Sequence, residues 1–224
     1  MSVLFRIANA AGRIGLTPWV ARVASLAYRG SDFSVDDHGR WVNRQAEATF
    51  VSPVFHTKSY AAVNEWVLDH WTWGYLPRAG DTVIDVGAGI GEEAVIFSRL
   101  VGESGRVISI EATDIRALDP MALAETPDFA TVDVSFISLK LVLPALDRLL
   151  RTPTELVALI KPQFEAGPKL VKKGIVRDPA VHTAVCEEIA VFSASLGWKV
   201  AGVIPSPVEG GEGNREFLLG ATKV

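Results

Sequence analysis

Cysteine is almost missing from this chain: Cys186 stands alone among 224 residues. A single thiol makes no intrachain disulfide and no cysteine metal cluster, and its setting among apolar residues of a helical stretch marks it as core. An excess of positive charge is missing too. Lysine and arginine number 22 against 26 aspartates and glutamates, giving a net charge of −4 and a pI near 5.6. Nucleic-acid binders ordinarily carry a basic balance, because phosphate neutralisation dominates their affinity. The whole-chain charge therefore counts against RNA or DNA and leaves room only for a local basic patch. Apolar runs are short: residues 156–160 are typical, far below the ~20 residues of a membrane span. The opening Met1-Ser2-Val3-Leu4-Phe5-Arg6 lacks the order of a signal peptide, and the cytoplasm is the expected location. The histidines, His38, His56, His70 and His182, show no pair at metal-ligand spacing, so no metal is expected. Neither internal repeats nor low-complexity segments occur.

What is present suits a sizeable core: 49% hydrophobic residues and a mean hydropathy of +0.25. The length fits one large α/β domain, residues 56–224, behind an N-terminal extension, residues 1–55. In the extension, Val3, Leu4, Ile7, Trp19, Val20, Val23 and Leu26 recur at roughly helical spacing, with breaks near Gly15 and Pro18. Strand-like pieces follow at 40–42 and 48–54, and residues 59–71 look helical. From residue 82 the pattern changes to alternation. Strands are expected at 82–86, 106–110, 129–132 and 156–160, with helices after the first and third. Asp178 and Pro179 open a helix that Gly197 stops, and two closing strands lie at 198–204 and 216–221. Such alternation predicts an α/β, Rossmann-like, mostly parallel twisted sheet with one antiparallel strand near the C-terminus.

Asp85-Val86-Gly87-Ala88-Gly89-Ile90-Gly91 joins the first core strand to its helix. Glycines there let the backbone turn tightly and approach a ligand closely. The GxGxG spacing differs from the dinucleotide fingerprint, whose last glycine lies one position later. S-adenosylmethionine, which has no phosphate, suits it better. Backbone amides at Gly87, Ala88, Gly89 and Gly91 can hold its amino-acid end, with Asp85 near the ammonium. Glu111, at the tip of the next strand, suits the ribose hydroxyls. Taken alone, a glycine loop after a strand is also a plain structural turn; the acidic tip at this spacing is what favours the cofactor.

The stretch "DTVIDVGAGIGEEAVIFSRLVGESGRVISIEA", within residues 56–112, resembles the FkbM-type methyltransferases, which methylate hydroxyls of sugars or polyketides. From residue 113 onward, "VDVSFISLKLVLPAL", "LIKPQFEAG", "KGIVRDPAVH" and "SPVEGGEGNREFLL" resemble the TlyA (hemolysin A-like) family of ribosomal RNA 2′-O-methyltransferases, whose catalytic domain is FtsJ-like. The join is abnormal: Glu111 and Asp114, the latter in the place of the adenine-holding loop, are three residues apart. One β/α unit at the sheet edge is therefore expected to be missing, which an edge tolerates better than a centre. The chain reads as a hybrid: a natural fusion, a deletion product or a chimera.

The resemblance implies a lysine–aspartate–lysine–glutamate tetrad, of which three members map here: Asp133 in "VDVSF", Lys161 in "IKPQF" and Glu216 in "GNREF". All three fall at strand ends, where open α/β sheets carry their sites. Lys161 would be base or hydroxyl-orienting cation, held and tuned by Asp133 and Glu216. Taken singly, each has a plainer reading: a solvated lysine, a turn-capping aspartate, a surface-paired glutamate. The tetrad's first lysine, in a Gly-Gly-x-Lys context upstream of the glycine loop, has no counterpart; Lys58 is the nearest candidate and its context differs. Lys169, Lys172, Lys173 and Arg177 form the one basic cluster, fit for RNA phosphates or simply a solvated loop. The six tryptophans are read as core before ligand. Three functions stay open: an S-adenosylmethionine-dependent O-methyltransferase acting on RNA ribose, an FkbM-like enzyme acting on a small-molecule or sugar hydroxyl, and a catalytically silent hybrid.

Overall fold

The computed structural model describes residues 17–71, 76–108, 110 and 113–224. The amphipathic pattern at Val3, Leu4 and Ile7 and the candidate ribose ligand Glu111 lie outside the described residues. The chain divides into two compact units: residues 17–66 with Gly89–Val95, and Val67–Ala88 with Ile96–Val224.

In the first unit, helix α1 (Thr17–Ala27) buries Val20, Ala21 and Ala24, which share one face at i, i+1 and i+4. Strands β1 (Asp32–Val35), β2 (Trp41–Arg44) and β3 (Thr49–Ser52) form an antiparallel sheet in that order. Asp36 makes the first turn by accepting from the backbone N–H groups of His38 and Arg40. Phe33, Trp41 and Phe55 pack with the buried face of α1 into one aromatic cluster, with ring centroids 4.8 to 5.2 Å apart. The extension thus has its own small core.

Helix α2 (Tyr60–Trp71) leads toward the second unit, where the main sheet stands in the order β5-β4-β6-β7-β9-β8. Its strands are β4 (Thr82–Val86), β5 (Arg106–Ile108), β6 (Phe129–Val132), β7 (Thr154–Ile160), β8 (Lys199–Pro205) and β9 (Phe217–Lys223). All pairs are parallel except those of β9, which runs against both β7 and β8. This is the single antiparallel strand expected.

Strand periodicity divides the core between the two faces. Ala130, Val132, Leu156, Ala158 and Ile160 join Leu139, Val142, Leu143 and Leu146 of α4 (Leu139–Asp147) and Val185 and Ile189 of the later helix α6 (Pro179–Ser195). On the alternate register, Phe129 meets Phe97 of α3 (Glu92–Val101) edge to face at 5.9 Å. Covering on both faces explains why β6 is buried along its whole length and why residues 156–160 of β7 read as an unbroken apolar run.

Between β5 and β6 the described residues hold only two 3₁₀ turns, Ile115–Ala117 and Pro120–Ala122, capped by Asp114 and Asp119. Strand β5 is three residues long and ends the sheet, as a missing edge unit requires. Leu118, between the two turns, is buried in the core.

Candidate active site

Strand β4 delivers the glycine turn. Gly87 has φ +96°, and a Cβ on it would lie 1.7 Å from the Asp133 carbonyl oxygen. The Asp133 N–H donates to the Val86 carbonyl at 2.8 Å, so the turn after β4 and the end of β6 touch backbone to backbone. Only glycine fits such an approach. Gly89 and Gly91 also have positive φ, +58° and +79°, and Ala88 lies between Gly87 and Gly89 in the turn.

Just before the turn, Asp85 accepts from Thr131 Oγ1 at 2.7 Å, while its other oxygen, Oδ2, is buried without a partner. Burial, reinforced by the charge of Asp133 and opposed by the Thr131 hydrogen bond, pushes the Asp85 carboxyl up to about 6. Asp85 and Gly87 line a cavity of about 80 Å³ with Ile108, Thr113, Ile115 and Leu118. It shares Val86, Gly87, Thr113 and Ile115 with a wider groove of about 1030 Å³ that reaches Asp133, Phe136 and Phe164. The shortened connection leaves open space beside Gly87.

Asp114 borders that groove but is already engaged. Its carboxylate caps the Arg116 N–H and takes a forked ion pair from the Arg116 guanidinium, 2.6 Å at the shortest. Those bonds hold its pKa down at about 2. It reaches a ligand only as part of this Asp–Arg pair.

Asp133, Lys161 and Glu216 come together. Lys161, at the end of β7, places Nζ 2.5 Å from Asp133 Oδ1 and 3.2 Å from Ser135 Oγ, and its side chain is 12% exposed. Glu216 precedes β9, whose antiparallel register sets Phe217 opposite Ile160. That pairing carries Glu216 to the Lys161 end of β7 from 55 residues downstream. It is 7% exposed and accepts from Gln163 Nε2 at 2.8 Å. Burial raises its pKa; Gln163 and the charge of Lys161 work against that rise, and Asp133 adds to it.

The basic residues Lys169, Lys172, Lys173 and Arg177 are all exposed, on a loop that is built and not slack. Lys172 and Ile175 exchange backbone hydrogen bonds. Asn214, 5% exposed, donates to the Gly174 carbonyl at 3.0 Å and accepts from the Val176 N–H. Among the described residues no group of three or more histidine, cysteine or carboxylate side chains could hold a metal ion.

Sequence reading missed several participants. Gln163 holds Glu216. Glu165, in the one-turn helix α5 (Pro162–Glu165), accepts from Ser138 Oγ at 2.6 Å and from the Leu139 N–H at 2.8 Å, so it clamps the segment after Asp133. Phe136, at φ +63° and 90% exposed, packs against Phe164 with ring centroids 5.0 Å apart and planes tilted by 48°. In the first unit, Glu92 binds both His56 Nε2 and Lys58 Nζ, the latter at 2.6 Å. Burial raises the Glu92 carboxyl, but those two hydrogen bonds outweigh it and leave the pKa below its ordinary value. Lys58 is thus committed to Glu92. The positions in the "KPQFE" motif were visible; their through-space partners were not.

Against known proteins, the profile of the FtsJ-like methyltransferases matches residues 96–223, and that of protein-L-isoaspartate(D-aspartate) O-methyltransferases matches residues 46–134. The candidate rRNA methyltransferase YqxC of Bacillus subtilis is 51% identical over 116 residues, 51% of this chain and 41% of that protein. The 16S/23S rRNA (cytidine-2′-O)-methyltransferase TlyA of Mycobacterium tuberculosis is 40% identical over 115 residues, 51% of this chain and 43% of the other. The chain therefore spans about two fifths of the length of these curated relatives. A candidate hemolysin from Streptococcus thermophilus superposes with a TM-score of 0.67 at 28% identity, over 99% of this chain and 88% of that one.

Proposed function

The chain belongs to the FtsJ-like methyltransferase family, and from that premise we propose that it transfers a methyl group from S-adenosylmethionine to a ribose 2′-hydroxyl of RNA. The observation that carries the reading is the Lys161–Asp133 ion pair, 2.5 Å long, at the strand-end edge that also bears the glycine turn. The cofactor fits on the residues present. The buried, partnerless Oδ2 of Asp85 is an acceptor awaiting an ammonium, and Gly87 leaves the turn bare of side chain. The amides of Gly87, Ala88, Gly89 and Gly91 would hold the cofactor's amino-acid end and Glu111 its ribose hydroxyls, while Asp114, paired with Arg116, would serve the base. When bound, the cofactor supplies an electrophilic methyl group on a sulfonium.

A ribose hydroxyl is a poor nucleophile at neutral pH, so alignment and proton handling set the rate. Lysine has three N–H donors. Asp133 takes one and Ser135 another, which leaves the third for the hydroxyl oxygen. Lys161 therefore acts as the orienting cation, and Asp133 fixes where it points. The carboxylates of Asp133 and Glu216 stand ready for the proton released as the O–C bond forms. Lys169, Lys172, Lys173 and Arg177 grip phosphates nearby and locate the strand without reading its sequence. The site works with three of the tetrad's four members. A ribosomal RNA substrate would put the protein in the cytoplasm; no helix among the described residues is long and apolar enough to cross a membrane. For residues 56–112 the FkbM-type kinship rests on the glycine turn, and a hybrid origin rests on the short join between Glu111 and Asp114.

The test uses labelled S-adenosylmethionine and ribosomal RNA, with Lys161→Ala as control. Incorporation at a ribose by the parent chain and its loss in the variant are expected. Absence of incorporation by protein that binds the cofactor in calorimetry would overturn the reading.

A further inference from the structure

We infer that Gln163 is a positioning residue: its amide and the bare backbone of Gly210 grip the Glu216 carboxylate from two sides and hold it in register with Lys161. The inference rests on the proposed methyl transfer for its meaning and on geometry for its content. Glu216 is nearly inaccessible, and a buried carboxylate must be hydrogen-bonded or it is driven toward its neutral form. Gln163 Nε2 supplies that bond at 2.8 Å. On the other side, a Cβ at Gly210 would lie 2.1 Å from Glu216 Oε1 and 2.4 Å from Cδ, so the carboxylate lies directly against the Gly210 backbone. The Gly210 N–H donates to the Asn214 carbonyl at 2.8 Å, and the Glu216 carbonyl accepts from Ser206. The Gly210 wall and the Glu216 backbone are thereby anchored.

Gln163 is well placed for this task because it belongs to α5, the single turn that follows Lys161. Three side chains of this short segment reach three different parts of the site. Lys161 binds Asp133 at the end of β6, Gln163 binds Glu216 before β9, and Glu165 binds Ser138 and Leu139 at the start of α4. The charged groups facing Glu216 are Lys161 from β7 and Asp133 from β6; Gln163 from α5 is the neutral donor among them. The Oε1 of Gln163 is buried without a partner, so the amide gives its donor face to Glu216 at the expense of its own acceptor. That orientation supplies a donor to the ionised Glu216 carboxylate.

Gln163→Met keeps the length and removes the donor; Gln163→Asn keeps the amide and shortens its reach. In ¹³C-glutamate-labelled protein, either variant is expected to raise the Glu216 titration midpoint by about one pH unit, the scale of one hydrogen bond to a charged group. The acidic limb of the methyl-transfer pH profile should move up by the same amount, with cofactor affinity unchanged. A merely structural glutamine would leave both midpoints in place, and an unmoved Glu216 titration in the two variants overturns the inference. The titration reads out with or without turnover, so failure of methyl transfer in the parent chain would strike the proposed activity and not the grip.

Discussion

Replacing Asp85 with asparagine should pull two properties in opposite directions. The folded carboxyl titrates at about 6 against an ordinary 3.8, so the folded state binds its proton more tightly than the unfolded chain does. The contribution of this group to stability is then fully present below pH 4 and is lost as pH rises through 6. Asp85→Asn removes that loss. In thermal unfolding without ligand, the variant should match the parent near pH 4 and exceed it by roughly 2 to 3 kcal/mol at pH 8. Cofactor affinity should fall at the same time, because the ammonium loses its counter-charge. In the parent, affinity should decline below pH 6 as Asp85 protonates. Gly87→Ala meets a φ of +96° and a backbone oxygen 1.7 Å from the new Cβ. A loss of about 3 kcal/mol or more in chemical denaturation is expected. At this scale the sequence was informative wherever chemistry lies within a motif. Asp133, Lys161 and Glu216 could be named because each is embedded in a recognisable phrase, whereas the Gln163–Glu216 contact joins residues 53 apart and the Asp114–Arg116 fork depends on a turn geometry that letters do not carry. Glu111 lies outside the described residues, and its ribose role stands as a proposal.

Among the elements, α4 shows how a site is held by a helix end. Ser138 caps the Lys140 N–H and donates to Glu165, which also takes the Leu139 N–H. Glu165→Ala should cost about 1 kcal/mol, the worth of a helix N-cap. It should also speed amide exchange over residues 134–139 without affecting β7. Element identity was legible throughout the main sheet, since buried strands and capped helices announce themselves by period and by Ser, Asp, Pro and Gly at their ends. Strand β6 was read to the residue. Boundaries drifted where tertiary geometry overruled local pattern. Leu149 and Leu150 continue the apolar pattern past α4, yet the helix ends at Asp147. There the Arg148 and Leu149 amides bond three residues back and the Arg151 N–H turns to the Pro127 carbonyl, which aims the chain into β7. Strand β5 was expected to reach residue 110 but keeps only three ladder pairs with β4, since nothing among the described residues pairs on its outer side.

For the whole molecule, a net charge of −4 and one four-cation loop bound the RNA affinity. Four phosphate contacts predict a slope of about −3 for log K against log salt concentration. Lys172→Ala with Lys173→Ala should flatten it by roughly half. A slope near zero in the parent chain would remove this loop from the substrate surface. The anionic balance was plain in the sequence, but the anchoring of the loop by Asn214 was not, because that residue lies 40 positions from the carbonyl it holds. The reversed strand β9 has a further consequence for how the protein is made. Its seven residues wedge between β7 and β8, and Glu216 arrives just ahead of them. During synthesis on the ribosome, the glycine turn, Asp133 and Lys161 all emerge while the wedge is still unmade. A product cut short before residue 216 lacks Glu216 and also the strand that pairs with both β7 and β8, so the buried Leu218, Leu219 and Ala221 leave the core together with the glutamate.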